Sequence, residues 1–244
     1  MTAGAPKTTV DLWRRGLGTV PPQVWGRTDA RVLILAENGL TTVPPEIGGM
    51  VNLRTLDLGH NALSRLPDGI GDLADLSDFL YLHDNRLTEL PPALGRLTAL
   101  RYLNIGENRL TELPETIGDM AGLRELRAER NRLARLPETV GRLGRLRELW
   151  LGGNRLTALP DPTARLRELR TVSLRENALT EFPASLSELP RLRHVDLRSN
   201  RLTELPPTLL DMPALEKLDL RWNPVVPPPD LVEALERKGC AVLW

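Results

Sequence analysis

Leu100-Arg101-Tyr102-Leu103-Asn104-Ile105-Gly106-Glu107-Asn108-Arg109-Leu110-Thr111-Glu112-Leu113-Pro114 reads as a short strand followed by a turn away from it. Leu103 and Ile105 alternate with Tyr102, Asn104 and Gly106, the two-residue period of a strand with one buried face. Asn108 then supplies an amide that can pair with backbone groups, and Pro114 fixes φ and removes a donor. The same grammar recurs along the chain. Asparagine stands at Asn38, Asn61, Asn85, Asn108, Asn131, Asn154, Asn177, Asn200 and Asn223, in steps of 23 residues seven times and 24 once. The longer step runs from Asn61 to Asn85. Proline follows six residues after every asparagine, and Pro21 marks an earlier copy in which Arg15 takes the asparagine position. Apolar residues keep step: Leu35 to Leu220 three before, Leu33 to Leu218 five before, Leu40 to Val225 two after. Ile117 and Met120, nine and twelve after Asn108, predict a short helical turn buried against the sheet. A fixed period of this length is the mark of stacked coils, each too small to hold a core alone.

The pattern L-x-x-L-x-L-x-x-N-x-L is similar to the signature of leucine-rich-repeat proteins and covers roughly residues 9–244. Its continuation, L-P-x-x-I-G-x-L, resembles the intracellular Ras-group subclass, known from animals, plants and bacteria. The resemblance implies an α/β fold: a curved leucine-rich-repeat solenoid with a parallel sheet on the concave face and short helices or turns on the convex face. It also implies a protein partner, small GTPases and phosphatases being the classes suggested, although no individual residue here favours either. Residues 1–8 are expected to form a tail, 9–229 the solenoid of about ten turns, and 230–244 a helix-strand cap. In that cap Asp230 is expected to N-cap a helix of Leu231–Lys238, Gly239 to end it, and residues 241–244 to add a last strand.

Composition narrows the function classes. Lysine plus arginine and aspartate plus glutamate both number 32, so the formal charge is zero and no nucleic-acid partner is expected. No apolar run approaches a membrane span, and the amino terminus lacks the apolar core of a signal peptide. One cysteine, Cys240, cannot form an intrachain disulfide, and a buried apolar role is expected for it. These features predict a cytoplasmic monomer. The abundance of Arg, Ala, Gly, Pro and Leu suits a GC-rich bacterial genome. No phosphate-binding loop or hydrolase motif is present, and no cofactor is expected.

Side chains six, four and two residues before each asparagine are expected to line the concave face. Five of the nine aromatic residues fall there: Trp13, Phe79, Tyr81, Tyr102 and Trp150. Four of them lie within residues 79–150, predicting a patch about 15 Å long at one strand per ~4.8 Å. Exposed aromatics among charges are typical interface anchors. The candidate partner-binding residues are therefore Asp57, His60, Phe79, Tyr81, His83, Tyr102, Glu125, Arg127, Glu129, Glu148, Trp150 and Arg175. The lesser readings are a structural spacer, and a small-molecule binder or enzyme using Tyr81, His83, Tyr102, Arg127, Glu129 and Trp150. His60, His83, Asp57 and Asp84 cluster in the repeat but match no metal motif, so no metal is expected. The extra residue before Phe79 predicts a bulge that re-aims its neighbours. Toward the carboxyl end, Arg175, Arg198, Arg201, Lys217 and Arg221 are expected to orient an acidic segment of a partner.

Overall fold

Eleven strands lie side by side in chain order, all parallel, in a computed structural model that describes residues 8–244. They are β1 (Thr9–Asp11), β2 (Val32–Ile34), β3 (Thr55–Asp57), β4 (Phe79–Tyr81), β5 (Tyr102–Asn104), β6 (Glu125–Arg127), β7 (Glu148–Trp150), β8 (Thr171–Ser173), β9 (His194–Asp196), β10 (Lys217–Asp219) and β11 (Ala241–Leu243). The expected tail falls almost wholly on residues 1–7, outside the described residues. Each strand is three residues long because only its central side chain and the one two places later must reach inward. Leu56, Leu80, Leu103, Leu126 and Leu149 stack in register as the central row and are fully buried. Leu58, Leu82, Ile105, Ala128 and Leu151 form the next row.

The asparagines join coil to coil. Asn108 Nδ2 donates to the carbonyl oxygens of Ile105 and Gly106 in its own coil and of Leu82 in the preceding one, at 3.0–3.1 Å. Its Oδ1 accepts the Leu87 N–H at 3.0 Å. The same set repeats at Asn131 and Asn177. One side chain thus satisfies backbone groups that the turn would otherwise leave buried and unpaired. The residue before each asparagine turns left-handed, with φ of +54° at Glu107 and +52° at His60. Arg15, in the asparagine position, donates its N–H to Asn38 Oδ1 at 2.9 Å, as Asn38 does to Asn61 Oδ1 at 3.0 Å.

On the opposite side the expected helical turns are mostly 3-10 turns of five residues, such as Asp68–Asp72 and Glu115–Asp119. The preceding proline accepts the first bond of each turn, as Pro114 O does from Ile117 N at 2.9 Å. Two coils wind a short α-turn instead, α1 (Pro22–Trp25) and α2 (Ala184–Ser187). Ile117 and Met120 are fully buried there. The glycine after the isoleucine is fixed by crowding: a Cβ on Gly71 would lie 2.2 Å from the Ala93 carbonyl oxygen of the next coil.

The carboxyl end closes with α3 (Pro229–Arg237) and β11. The helix begins two residues before the expected Leu231 and ends at Arg237, one before the expected Lys238. Pro229 occupies its first turn and Asp230 lies inside it, with no side-chain cap. Proline is pre-organised for that position, and Asp230 still favours the positive end of the helix. Gly239, at φ +88°, leads out of the helix, and Cys240 is buried at its exit with burial pushing the thiol pKa up.

The extra residue sits at the corner before β4. Elsewhere one carbonyl receives two successive N–H groups, as Arg101 O does from Arg124 and Glu125. Here Arg54 O receives Asp78 and Phe79, while the next coil's Arg101 N–H bonds one residue earlier, to Ser77 O at 3.0 Å. Ser77 and Asp78 together thus face single residues on both neighbours. The register is restored at once, with Phe79 opposite Thr55.

Candidate functional site

The side chains flanking each buried leucine stand on the open strand face, in rows set by the register. Phe79 faces Tyr102 across β4 and β5, and Tyr81 faces Asp57 across β3 and β4. Three rings adjoin as a result: centroids are 5.8 Å apart for Phe79–Tyr81, 5.5 Å for Phe79–Tyr102 and 5.1 Å for Tyr81–Tyr102. Phe79 remains 42% exposed. Burial raises the Tyr81 hydroxyl pKa and pushes that of Tyr102 up to about 12, so both stay neutral donors at physiological pH. Edge contact with His83, at 6.0 Å, continues the cluster toward the rim.

There Asp84 Oδ2 lies 2.7 Å from His60 Nδ1, and His60 Nε2 lies 3.1 Å from His83 Nε2. The ring nitrogens thus link Asp84, His60 and His83 in one hydrogen-bonded chain. His83 Nδ1 is buried with no hydrogen-bond partner among the described residues. Burial, and after it His60, hold the His83 pKa below the ordinary imidazole value. Gly59 makes this packing possible, since a Cβ there would fall 2.6 Å from His83 Cε1. Among the described residues no group of three His, Cys, Asp or Glu side chains is placed to hold a metal ion.

Trp150 stands apart from the three rings. The expected single patch is interrupted on β6, where Arg127 lies 5.0 Å over the Trp150 ring and its Nε donates to Glu125 Oε1 at 2.6 Å. Trp150 Nε1 in turn donates to Glu148 Oε2 at 3.1 Å. His83, Asn104, Arg127, Glu129 and Arg175 line a recess of about 230 Å³ beside Gly106. Burial raises the Glu129 pKa above its ordinary 4.5, outweighing Arg127 and Arg175. A raised carboxylate pKa means the folded chain binds the proton more tightly than the unfolded one. Its penalty on folding is absent below pH 4.5 and grows as pH rises through the folded-state value. Glu129→Gln is therefore expected to raise the melting temperature at pH 7.5 and to leave it unchanged at pH 4. Equal shifts at both pH values would contradict this assignment.

The sequence reading missed a larger depression of about 400 Å³ on β7 to β10. Trp150 forms one wall, the small Thr171 and Ser173 the floor, and His194, Lys217, Arg198 and Arg221 the other side. Small residues following a tryptophan in the same rows were its signal. The basic end also differs from expectation. Arg198 forks onto Asp196 at 2.9 and 2.8 Å, and Arg221 onto Asp219 at 2.9 and 2.7 Å. Asp219 is buried, and its arginine partners hold its pKa down against desolvation. Arginine and aspartate two residues apart on a strand share a face, so these charges neutralise each other before any partner arrives.

A family model described as Leucine rich repeat matches residues 78–133 and 144–202, and a second of the same description matches residues 52–73. No curated protein matches the sequence. Among solved structures, the chain is similar to the plant peptide hormone receptor RGFR1 in complex with RGF2. Identity is 26% and TM-score 0.79, over 92% of this chain and 37% of that one. The LRR ectodomain of the Arabidopsis thaliana membrane receptor kinase GASSHO1/SCHENGEN3, in complex with CASPARIAN STRIP INTEGRITY FACTOR 2, is 31% identical with TM-score 0.75. That match covers 85% of this chain and 26% of the receptor chain. The functional domain of InlJ from Listeria monocytogenes is 25% identical with TM-score 0.81, over 97% of this chain and 48% of that one. The chain thus spans less than half the length of each of these neighbours. Period, asparagine ladder, parallel sheet and family match agree that this chain is a leucine-rich-repeat protein folded as a solenoid.

Proposed function

We propose that the chain is a binding scaffold that holds a protein or peptide on its strand face, with Phe79, Tyr81 and Tyr102 at the centre of the contact. The observation that carries this reading is the ring cluster itself. Three aromatic side chains occupy rows where the coil needs no apolar residue, and they touch one another on an open face. The two plant receptors support it, since both are complexes named with a second component. Asp57, His60, His83, Glu125, Arg127 and Glu129 surround the rings on and beside β3 to β6, and Glu148, Trp150 and Arg175 extend the proposed contact farther along the sheet. The L-P-x-x-I-G-x-L segment supports the Ras-group subclass. A single cysteine supports a reducing, cytoplasmic setting.

Aromatic anchors at an interface centre typically cost ~2 kcal/mol or more on truncation. Once a partner has been captured, Tyr102→Ala should weaken its dissociation constant by roughly tenfold or more, measured by titration calorimetry. Wild-type affinity in both Tyr81→Ala and Tyr102→Ala would remove the strand-face site.

A further inference from the structure

The chain covers three of its five tryptophans with its own arginines. Arg14 lies 5.8 Å over Trp13, Arg127 5.0 Å over Trp150 and Arg221 5.4 Å over Trp222. In each case a carboxylate holds the guanidinium: Glu37 for Arg14 at 3.0 Å, Glu125 for Arg127 at 2.6 Å, Asp219 for Arg221 at 2.7 Å. A stacked guanidinium with a carboxylate behind it is therefore this surface's recurring motif. The Phe79–Tyr81–Tyr102 cluster has the rings and a carboxylate but no such cover among the described residues. Across β2 to β5 the open-face rows read Val32, Ile34, Ala36, then Thr55, Asp57, Gly59, then Phe79, Tyr81, His83, then Tyr102, Asn104, Gly106. None is lysine or arginine. Asp57 stands directly across from Tyr81. Its Oδ1 accepts the Gly59 N–H at 2.9 Å, and no ion pair engages its carboxylate among the described residues.

We propose that the partner supplies the absent group: an arginine whose guanidinium lies over the Tyr81 ring, beside Tyr102, and is held by Asp57. This rests on the strand-face binding proposed above and names the chemistry of the anchor. The spacing chooses between cations. With centroids 5.1–5.8 Å apart the rings touch, so nothing enters between them as a methylated ammonium enters an aromatic cage. Tyr81 and Tyr102 are tilted 50° to each other, so a flat guanidinium covers one ring at a time while offering N–H groups sideways to a carboxylate. Of the strands that carry the rings and their β3 neighbour, Asp57 is the acidic side chain in the open-face rows, whereas the recess beside Gly106 carries Arg127 and Arg175 together with Glu107 and Glu129.

The test titrates the full chain with N-acetyl-arginine amide, followed by backbone amide NMR shifts, with the citrulline and lysine counterparts as controls. Arginine amide, up to about 100 mM, should give saturable shifts centred on Gly59, Tyr81 and Tyr102, ample for a millimolar site. Citrulline amide, isosteric but uncharged, should bind at least about fivefold more weakly, and lysine amide should fall between them. Asp57→Asn, which keeps the Oδ1 acceptor for Gly59, should weaken the arginine response by a similar factor. Equal responses to arginine and citrulline overturn the assignment. So does an unchanged response in Asp57→Asn, or shifts centred on Trp150. A captured partner that requires Tyr102 while arginine amide gives no saturable shift would keep the binding face and eliminate arginine as its anchor.

Discussion

Asn108→Asp is expected to cost on the order of 3–5 kcal/mol at neutral pH, a large part of the stability of a chain this size. The amide nitrogen of Asn108 sits 3.0–3.1 Å from three carbonyl oxygens, Leu82, Ile105 and Gly106. Aspartate puts an acceptor where all three need a donor, and the residue is only 8% exposed. The site therefore favours the protonated acid and raises its pKa. Stability should then fall as pH rises through that raised value, and part of the loss should be recovered near pH 4. Asn108→Ala, which removes the donor without adding charge, should cost less, about 2–3 kcal/mol. Urea denaturation of the three proteins at pH 4 and 7.5 checks both the order and the sign. An aspartate variant as stable as wild type at pH 7.5 would mean the ladder carries little.

Gly71→Ala should be nearly as damaging, for a steric reason. A Cβ at Gly71 lies 2.2 Å from Ala93 O and 2.8 Å from Ala93 C, backbone atoms of the next coil that cannot rotate aside. The two 3-10 turns would have to separate, opening the buried row of Ile70 and Leu94 behind them. A cost of about 3 kcal/mol follows from overpacking of this kind. Gly49→Ala provides the control, because a Cβ there meets nothing within 4 Å. That change should be neutral or slightly stabilising, since alanine has fewer unfolded conformations to lose. Thermal melts of both variants separate the two effects. Equal melting temperatures would show that the convex turns yield more readily than their spacing indicates.

The rows that build the fold were legible because each buried position repeats with one chemistry. The positions of Leu103, Ile105, Asn108 and Ile117 recur with the same chemistry in most coils, Arg15 and Thr163 being departures, and the period turns linear order into stacking. The variable rows were legible only as positions. That Phe79, Tyr81 and Tyr102 share strands β4 and β5 followed from register, and the structure brings their rings together. That Trp150 would be capped by Arg127 did not follow, because rotamers decide it. The same holds for Arg198 and Arg221, whose charges looked available in sequence and are folded back onto Asp196 and Asp219. Period alone did not separate a 3-10 turn from an α-turn at five residues, since both bury the same two apolar side chains. Nor did it show that Pro229 rather than Asp230 would open the last helix.

The corner at Ser77–Asp78 has a practical corollary. One additional residue is accommodated there without disturbing the rows on either side, so the ladder tolerates a change of contour length at this point. Equivalent corners precede every other strand. A foreign loop spliced in at one of them would emerge beside the aromatic cluster or the basic end according to the coil selected, making the chain a natural chassis for grafted segments.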